Sequence, residues 1–179
     1  MRNMNEIRRN IKAVEQTRQI TNAMYLLSTS QMKKAMTKIA FNRTYLRRIR
    51  ATVKDILLRS DKEHIFLEDR GNKRQMFLVV ASDKEMCGSY NHDVTNAAAE
   101  IIKKSESPIV ATVGISAQLL LEKQGINNDY HWYGASQNPS LYCARSIGEH
   151  IVELYTKGEI DEAYIIFTRY YSQVNQTIR

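Results

Sequence analysis

The first sixty residues contain no glycine and no proline; the first glycine is Gly71 and the first proline Pro108. Nothing in that stretch breaks a helix. Cysteine is almost as scarce. Cys87 and Cys143 are far apart and form no C-x-x-C pair, which excludes a disulfide framework and points to free thiols in a reducing compartment, read as small buried hydrophobes. No apolar run approaches the length that crosses a bilayer, so no transmembrane helix is expected. The N-terminus is basic and amphipathic, but it lacks the apolar segment and cleavage site of a secretory signal. The four histidines, His64, His92, His131 and His150, are scattered without metal-ligand spacing. Acid is scarce at the front: residues 1–60 hold fourteen Lys and Arg against Glu6, Glu15 and Asp55, whereas the remainder holds twelve bases and sixteen acids. A basic front wants an acidic surface, which could be nucleic acid, a membrane or an acidic protein cavity.

What fills the front is a heptad repeat. One phase runs through Met4, Ile7, Ile11, Val14, Arg18, Thr21, Tyr25, Ser28, Met32, Ala35, Ile39, Asn42, Leu46, Ile49, Val53 and Ile56, and twelve of these sixteen positions are apolar or aromatic. A seven-residue repeat defines a narrow seam and a left-handed supercoil. Residues 1–60 therefore read as a coiled-coil-type helix, a rod of roughly 80 Å, too long to lie on a small core. Between Arg18 and Ser28 the seam turns polar, and a second apolar line appears at Ile20, Ala23, Met24 and Leu27. That shift reads either as a stutter in the supercoil or as a second contact surface.

Residues 61–75 read as a polar connection, with His64-Ile65-Phe66-Leu67 as a short docking segment. Residues 76–179 read as an α/β domain. Met76 to Ala81 is a continuous apolar run, the mark of a strand covered on both faces in a parallel sheet. Ser82 to Asn91 reads as a loop, with Asn91 as N-cap of a helix that buries Val94, Ala97, Ala98, Ile101 and Ile102. Ile109 to Val113 is a second strand. A helix carrying Ala117, Leu120 and Leu121 follows and stops at Gly125. Tyr130 to Tyr133 is a third strand. Asn138-Pro139 reads as the start of a helix that carries Leu141, Ala144, Ile147, Ile151, Val152 and Tyr155. A fourth strand runs from Ala163 towards Ser172. The fold class expected is α/β: a long N-terminal helix plus an open, mostly parallel layer domain with right-handed crossovers.

Such a sheet invites a nucleotide, but the first strand-to-helix loop holds one glycine, and Asp83 and Glu85 in it would repel phosphate. No G-x-x-x-x-G-K-(S/T) occurs. Cys87 and His92 lack a third group to orient them as nucleophile and base. The tyrosines and Trp132 form no stacking array of the single-strand-binding kind. Hence no catalytic constellation, cofactor site or metal site is expected.

Three blocks carry a resemblance. Ile7-Arg8-Arg9-Asn10-Ile11-Lys12-Ala13-Val14-Glu15-Gln16-Thr17-Arg18-Gln19-Ile20-Thr21-Asn22-Ala23-Met24 resembles the N-terminal helix of the gamma subunit of F-type ATP synthases, which opens I-(R/K)-x-x-I-x-x-V-x-x-T-x-x-I-T-x-A-M. Ser82-Asp83-Lys84-Glu85-Met86-Cys87-Gly88-Ser89-Tyr90-Asn91 looks like the family's S-D-(R/K)-G-L-C-G-x-(F/Y)-N. Phe167 to Ser172 is similar to its (Y/F)-T-(R/K)-F-x-S. The chain departs at Glu85, where glycine is usual, and at Asn22 and Gln31, where bases are usual. It also stops at Arg179 without the family's long C-terminal helix, which winds antiparallel round the N-terminal one.

The resemblance implies a non-catalytic central-stalk rotor of a proton-translocating ATP synthase, peripheral at the cytoplasmic face of a bacterial membrane and without a cofactor. Its implied partners are the catalytic and non-catalytic nucleotide-binding head subunits, the epsilon subunit and the membrane c-ring. Arg8, Arg9, Lys12, Arg18, Ile20, Thr21, Ala23 and Met24 would meet those partners, and Ser82, Asp83, Cys87, Gly88 and Asn91 would form the family loop. The rival reading is a nucleic-acid-binding protein whose basic helix tracks phosphates. With no helix in the chain to cover its seam, the rod is expected to self-associate or fray.

Overall fold

A computed structural model describes residues 3–59, 64–68, 70–71, 74–172 and 175–179. The chain divides into two units, Met1–Lys62 and Glu63–Arg179. The first is one helix, α1 (Met4–Arg59), of 56 residues, about 84 Å long at 1.5 Å per residue. The Asn3 carbonyl accepts from the Glu6 and Ile7 amides at 2.8 and 3.2 Å, which opens the helix. Glu6 in the first turn and Arg59 in the last oppose the helix dipole. Thr17, Thr21, Thr29, Thr37 and Thr52 each donate the hydroxyl to the carbonyl four residues back, at 2.8–3.1 Å. That is how β-branched polar residues sit within the helix with their donors satisfied. No residue of α1 is buried.

The second unit is built on a four-stranded parallel sheet in the order β3-β2-β1-β4. Its strands are β1 (Arg74–Val80), β2 (Ser107–Val113), β3 (Tyr130–Trp132) and β4 (Glu162–Ile166), and its helices are α2 (Tyr90–Ile102), α3 (Ile115–Lys123) and α4 (Leu141–Thr156). The apolar run in β1 has the expected cause. Phe77 and Val79 face a cluster with Val94, Ala98 and Ile102 of α2 and Ala117 and Leu121 of α3. Met76 and Leu78 face the other side, with Ala111, Val113 and Leu154 of α4. Alternate side chains of one strand thus feed two cores.

Several expectations are corrected. Asn91 is not the N-cap of α2. Ser89 holds that position without a capping bond, and Asn91 is buried inside the first turn. The buried face of α2 is Asn91, Val94, Thr95, Ala98, Ala99 and Ile102, so Ala97 lies at its margin and Ile101 is exposed. Thr95 could join this face because its hydroxyl bonds the Asn91 carbonyl at 2.8 Å. Helix α4 starts at Leu141, not at Asn138-Pro139; Ser140 caps it by accepting from the Cys143 amide at 3.1 Å. Leu141, Ala144 and Val152 are exposed on it, and Leu154 is its buried residue. The fourth strand does not run on to Ser172. It breaks at Phe167, and β5 (Thr168–Tyr170) pairs antiparallel with β6 (Gln176–Ile178) as a separate ribbon. Cys87 is exposed and Cys143 half-buried, so neither is a core residue.

The docking segment forms a 3₁₀ turn at Ile65–Leu67. Phe66 lies 5.3 Å from the Tyr155 ring, and the Tyr155 hydroxyl donates to the Ile65 carbonyl at 2.8 Å. Of the polar connection, Asp61, Lys62, Glu63, Asp69, Asn72 and Lys73 lie outside the described residues.

At the edge where β1 and β4 begin, Arg74 binds Asp161 with one bidentate edge of its guanidinium, Nη2 to Oδ1 at 2.6 Å and Nε to Oδ2 at 3.1 Å. The Arg74 amide adds a third bond at 3.0 Å. These bonds, first the guanidinium and then the amide, outweigh the effect of burial and lower the Asp161 pKa to about 2. The folded state therefore prefers the ionised carboxylate. Its contribution is present above the unfolded pKa of about 4 and is lost as pH falls through about 2. In acid unfolding followed by the fluorescence of Trp132, Asp161→Asn is expected to be less stable at neutral pH and to lose about one proton of pH dependence between pH 4 and 2. An unchanged acid slope would refute the assignment.

Candidate functional site

Two places bear the residues singled out in the sequence. One is the edge of the sheet where the parallel strands end. Ser82 follows β1, and its amide donates to Asn91 Oδ1 at 3.1 Å; its hydroxyl lies 2.9 Å from the same oxygen and also bonds the Lys84 carbonyl. Asn91 Nδ2 closes the circuit on the Lys84 carbonyl at 3.4 Å. Burying Asn91 in the first turn of α2 thus fixes the path of the loop, a use of the side chain that competes with capping.

Asp83 reaches across this edge. Its Oδ1 accepts from the Ile115 amide at 3.2 Å and the Gly134 amide at 3.1 Å, and its Oδ2 accepts from Ser136 Oγ at 2.5 Å. Its own amide donates to Ser136 Oγ at 2.9 Å. One carboxylate therefore staples the β1–α2 loop to the start of α3 and to the β3–α4 loop. Partial burial pushes the carboxyl up, but Ser136 and the amides of Gly134, Ile115 and Gln137 outweigh it and hold the group below the usual carboxylate range. In α/β sheets, amides at this edge are the groups that cradle phosphate. Here a side chain of the protein already takes two of them.

The sheet order reverses between β1 and β4, where open α/β sheets place their ligand crevice. The ribbon lies there. Thr168, Gln176 and Ile178 line a small cavity with Cys87, Ser89, Tyr90 and Asp93, and Ile178 packs on the core. Tyr90 hydrogen-bonds Thr168; burial first, and the neighbouring Cys87 second, raise its phenol pKa against that bond. The family loop thus divides in two. Ser82, Asp83 and Asn91 turn inward as scaffold, whereas Cys87 and Gly88 lie exposed at the tip. Glu85 has no left-handed backbone; the left-handed residues are Met86 and Gly88, at φ 64° and 62°. Glutamate is therefore accommodated where the family usually has glycine. Sequence reasoning missed Ser136, Gly134 and Ile115. The signal for them was small: a glycine after each of two strands, at one edge.

The other place is α1. Arg8, Arg9, Lys12, Arg18, Ile20, Thr21, Ala23 and Met24 all lie on it and all are exposed. Ile20, Ala23, Met24 and Leu27 share one face by their i, i+3, i+4, i+7 spacing. Arg18 pairs with Glu15 at 2.8 Å, and the Thr21 hydroxyl donates back to the Thr17 carbonyl at 2.9 Å. Among the described residues no helix is long and apolar enough to cross a membrane, and no cluster of His, Cys, Asp and Glu could hold a metal ion.

A helix of fifteen or more turns, followed in sequence by an α/β unit with a stapled loop edge, defines the class: an α/β protein with a long N-terminal helix. A family model described as ATP synthase matches residues 3–179, and the chain belongs to that family. It is 34% identical over 178 residues to the ATP synthase gamma chain of Acetivibrio thermocellus, covering 97% of this chain and 60% of that one. It is 31% identical over 173 residues to the ATP synthase gamma chain of Clostridium botulinum strain Langeland, covering 96% and 61%. The chain thus spans about three fifths of the length of these curated relatives. Its fold is similar to a chain of the Tetrahymena thermophila mitochondrial ATP synthase central stalk and c-ring structure, with TM-score 0.68, 16% identity, and 89% of this chain and 70% of that one covered. It is also similar to a chain of the Euglena gracilis mitochondrial ATP synthase structure containing OSCP, F1 and c-ring, with TM-score 0.58, 14% identity, and 96% and 54% covered.

Proposed function

We propose that the chain acts as the gamma-type central-stalk component of a rotary ATP synthase, a coupling element that does no bond chemistry itself. The observation that carries this reading is the family match across both units, helix and α/β domain alike. On this reading α1 lies within the ring of catalytic and non-catalytic head subunits, and its turning biases one nucleotide site at a time. That is a coupling free energy between ion flow and nucleotide affinity. The exposed face of Ile20, Ala23 and Met24, flanked by Arg8, Arg9 and Lys12, supports a contact with acidic loops of the head. The α/β unit meets the epsilon subunit and the c-ring, which places the chain at the cytoplasmic face of the membrane as a peripheral component. The stapled edge and the occupied crevice suit a unit that transmits force rather than one that opens around a nucleotide. No observation favours the nucleic-acid reading.

The test is co-expression with the two head subunits of the same synthase, followed by purification and mass determination. One copy per hexameric ring is expected. Replacing Arg8, Arg9 and Lys12 together with glutamate is expected to lower recovery of the complex at least tenfold at low salt. Failure of the chain to enter the ring, and failure of a chimera carrying the remaining C-terminal part of the Acetivibrio thermocellus gamma chain, would overturn the reading.

A further inference from the structure

We infer that α4 is a helix in two parts, whose first two turns open as a local unit about Gly148 while the remainder stays clamped to the sheet. Burial along α4 is uneven. The stretch from Leu141 to Ser146 includes no buried side chain, and Leu141 and Tyr142 are 80% and 84% exposed. The apolar stripe that packs on the sheet starts only at Ile147 and continues through Ile151, Leu154 and Tyr155.

The C-terminal half is held from several sides. Leu154 enters the core with Met76, Leu78 and Ile160. Arg70 donates from Nη1 to the Tyr155 carbonyl at 2.7 Å, and its guanidinium lies 4.0 Å over the Tyr155 ring. The Tyr155 hydroxyl is tied to Ile65. His150 sets its ring 4.5 Å from that of Tyr130 and 5.8 Å from that of Trp132, both on β3. The N-terminal half has nothing comparable. Ser140 caps it, and shortly before that cap Ser136 is tied to Asp83. The first two turns therefore hang between a fixed loop and a fixed half-helix, with little packing of their own.

Gly148 stands at the joint. Glycine is the weakest helix former after proline, and here neither geometry nor space calls for it: the backbone is helical, and a Cβ would meet nothing within 4 Å. What glycine contributes is a low cost for breaking the helix between Ile147 and the His150 contact. Two turns of helix do not persist alone in water. They persist by continuing the clamped half, and the glycine weakens that continuation. Opening releases Leu141 and Tyr142 near the edge where Asp83 staples the loops, and it leaves staple and core intact. The joint is a property of the α/β unit and does not depend on the stalk reading.

The test is amide hydrogen exchange of the 179-residue chain at neutral pH, resolved by residue. Relative to their intrinsic rates, the amides of Arg145 and Ile147 are expected to exchange at least roughly a hundredfold faster than those of Leu154 and Tyr155. Urea up to about 1 M should leave the first pair unchanged and speed the second, because a local opening exposes little surface. Gly148→Ala is expected to slow exchange at Arg145 and Ile147 about fivefold while Trp132 fluorescence stays native. Equal protection in both halves of the helix, a shared urea dependence, or unaltered exchange at Arg145 in Gly148→Ala would each overturn the inference.

Discussion

Replacing Gly114 with alanine is expected to cost the α/β unit about 4 kcal/mol and to lower its melting temperature by roughly 15 °C. Gly114 joins β2 to α3 at φ 95° and ψ 139°, a region of backbone space that side chains rarely enter. A Cβ there would lie 2.6 Å from the Ala81 carbonyl oxygen and 2.8 Å from that of Ser82. Neither carbonyl is free to retreat. The Ser82 oxygen accepts from the Ser116 amide at 3.1 Å, and the Ala81 amide is held by Val113 at 3.0 Å. The same substitution at Gly88 is the control. That residue also has positive φ, but a Cβ there meets nothing within 4 Å, so only the conformational cost of about 1 kcal/mol remains. Thermal melts followed by Trp132 fluorescence report the α/β unit without the signal of α1. Equal melting temperatures for the two variants would show that the close approach at Gly114 is not a constraint on the fold.

The long helix was legible because a glycine-free, proline-free stretch and an unbroken heptad phase leave a chain few other options. The central strands were legible for a related reason: burial on both faces makes residues 76–80 of β1 and 109–111 of β2 an unbroken apolar run. What failed were the places where a polar side chain does the work of an apolar one. Thr95 reads as surface by type, yet its hydroxyl is satisfied by the Asn91 carbonyl and the residue goes inside. Asn91 reads as a cap by position, yet its amide is needed to hold Ser82 and Lys84. The ribbon was misread as a long strand because β4 and β5 are separated by Phe167 alone, and no local signal marks the change of partner from β1 to β6.

The site was legible as a motif and not as an arrangement. The string from Ser82 to Asn91 picks out residues that the fold then sends to opposite tasks, scaffold for three and exposed tip for two. Asp83 shows why. Against a bound nucleotide its charge counts as repulsion. In the structure that same charge serves as an internal anion, taking the amides that a phosphate would need. A negative argument about ligands and a positive one about architecture rest on one carboxylate.

Asp83→Ala is accordingly expected to destabilise the α/β unit by about 2 kcal/mol, with a fall in melting temperature of roughly 8 °C. The change strands the amides of Ile115 and Gly134 and frees Ser136, so the three loops at this edge lose their common partner. The edge is only half covered, and water replaces part of what is lost, which keeps the cost below that of a fully buried carboxylate. Asp83→Asn retains one acceptor oxygen and is expected to fall between the two. The pH dependence carries the sign. The Asp83 pKa is lowered in the folded state, so its contribution is present above the unfolded pKa of about 4 and disappears as pH falls below it. Wild type and Asp83→Ala should therefore converge in stability as the solution is acidified through that range. Hydrogen exchange separates this staple from a general loss of packing. In Asp83→Ala the amides of Ile115 and Gly134 should lose protection, while those of Leu78 and Ala111 in the central strands keep theirs. Loss of protection at all four, in proportion, would mean that Asp83 supports the whole core rather than the loop edge.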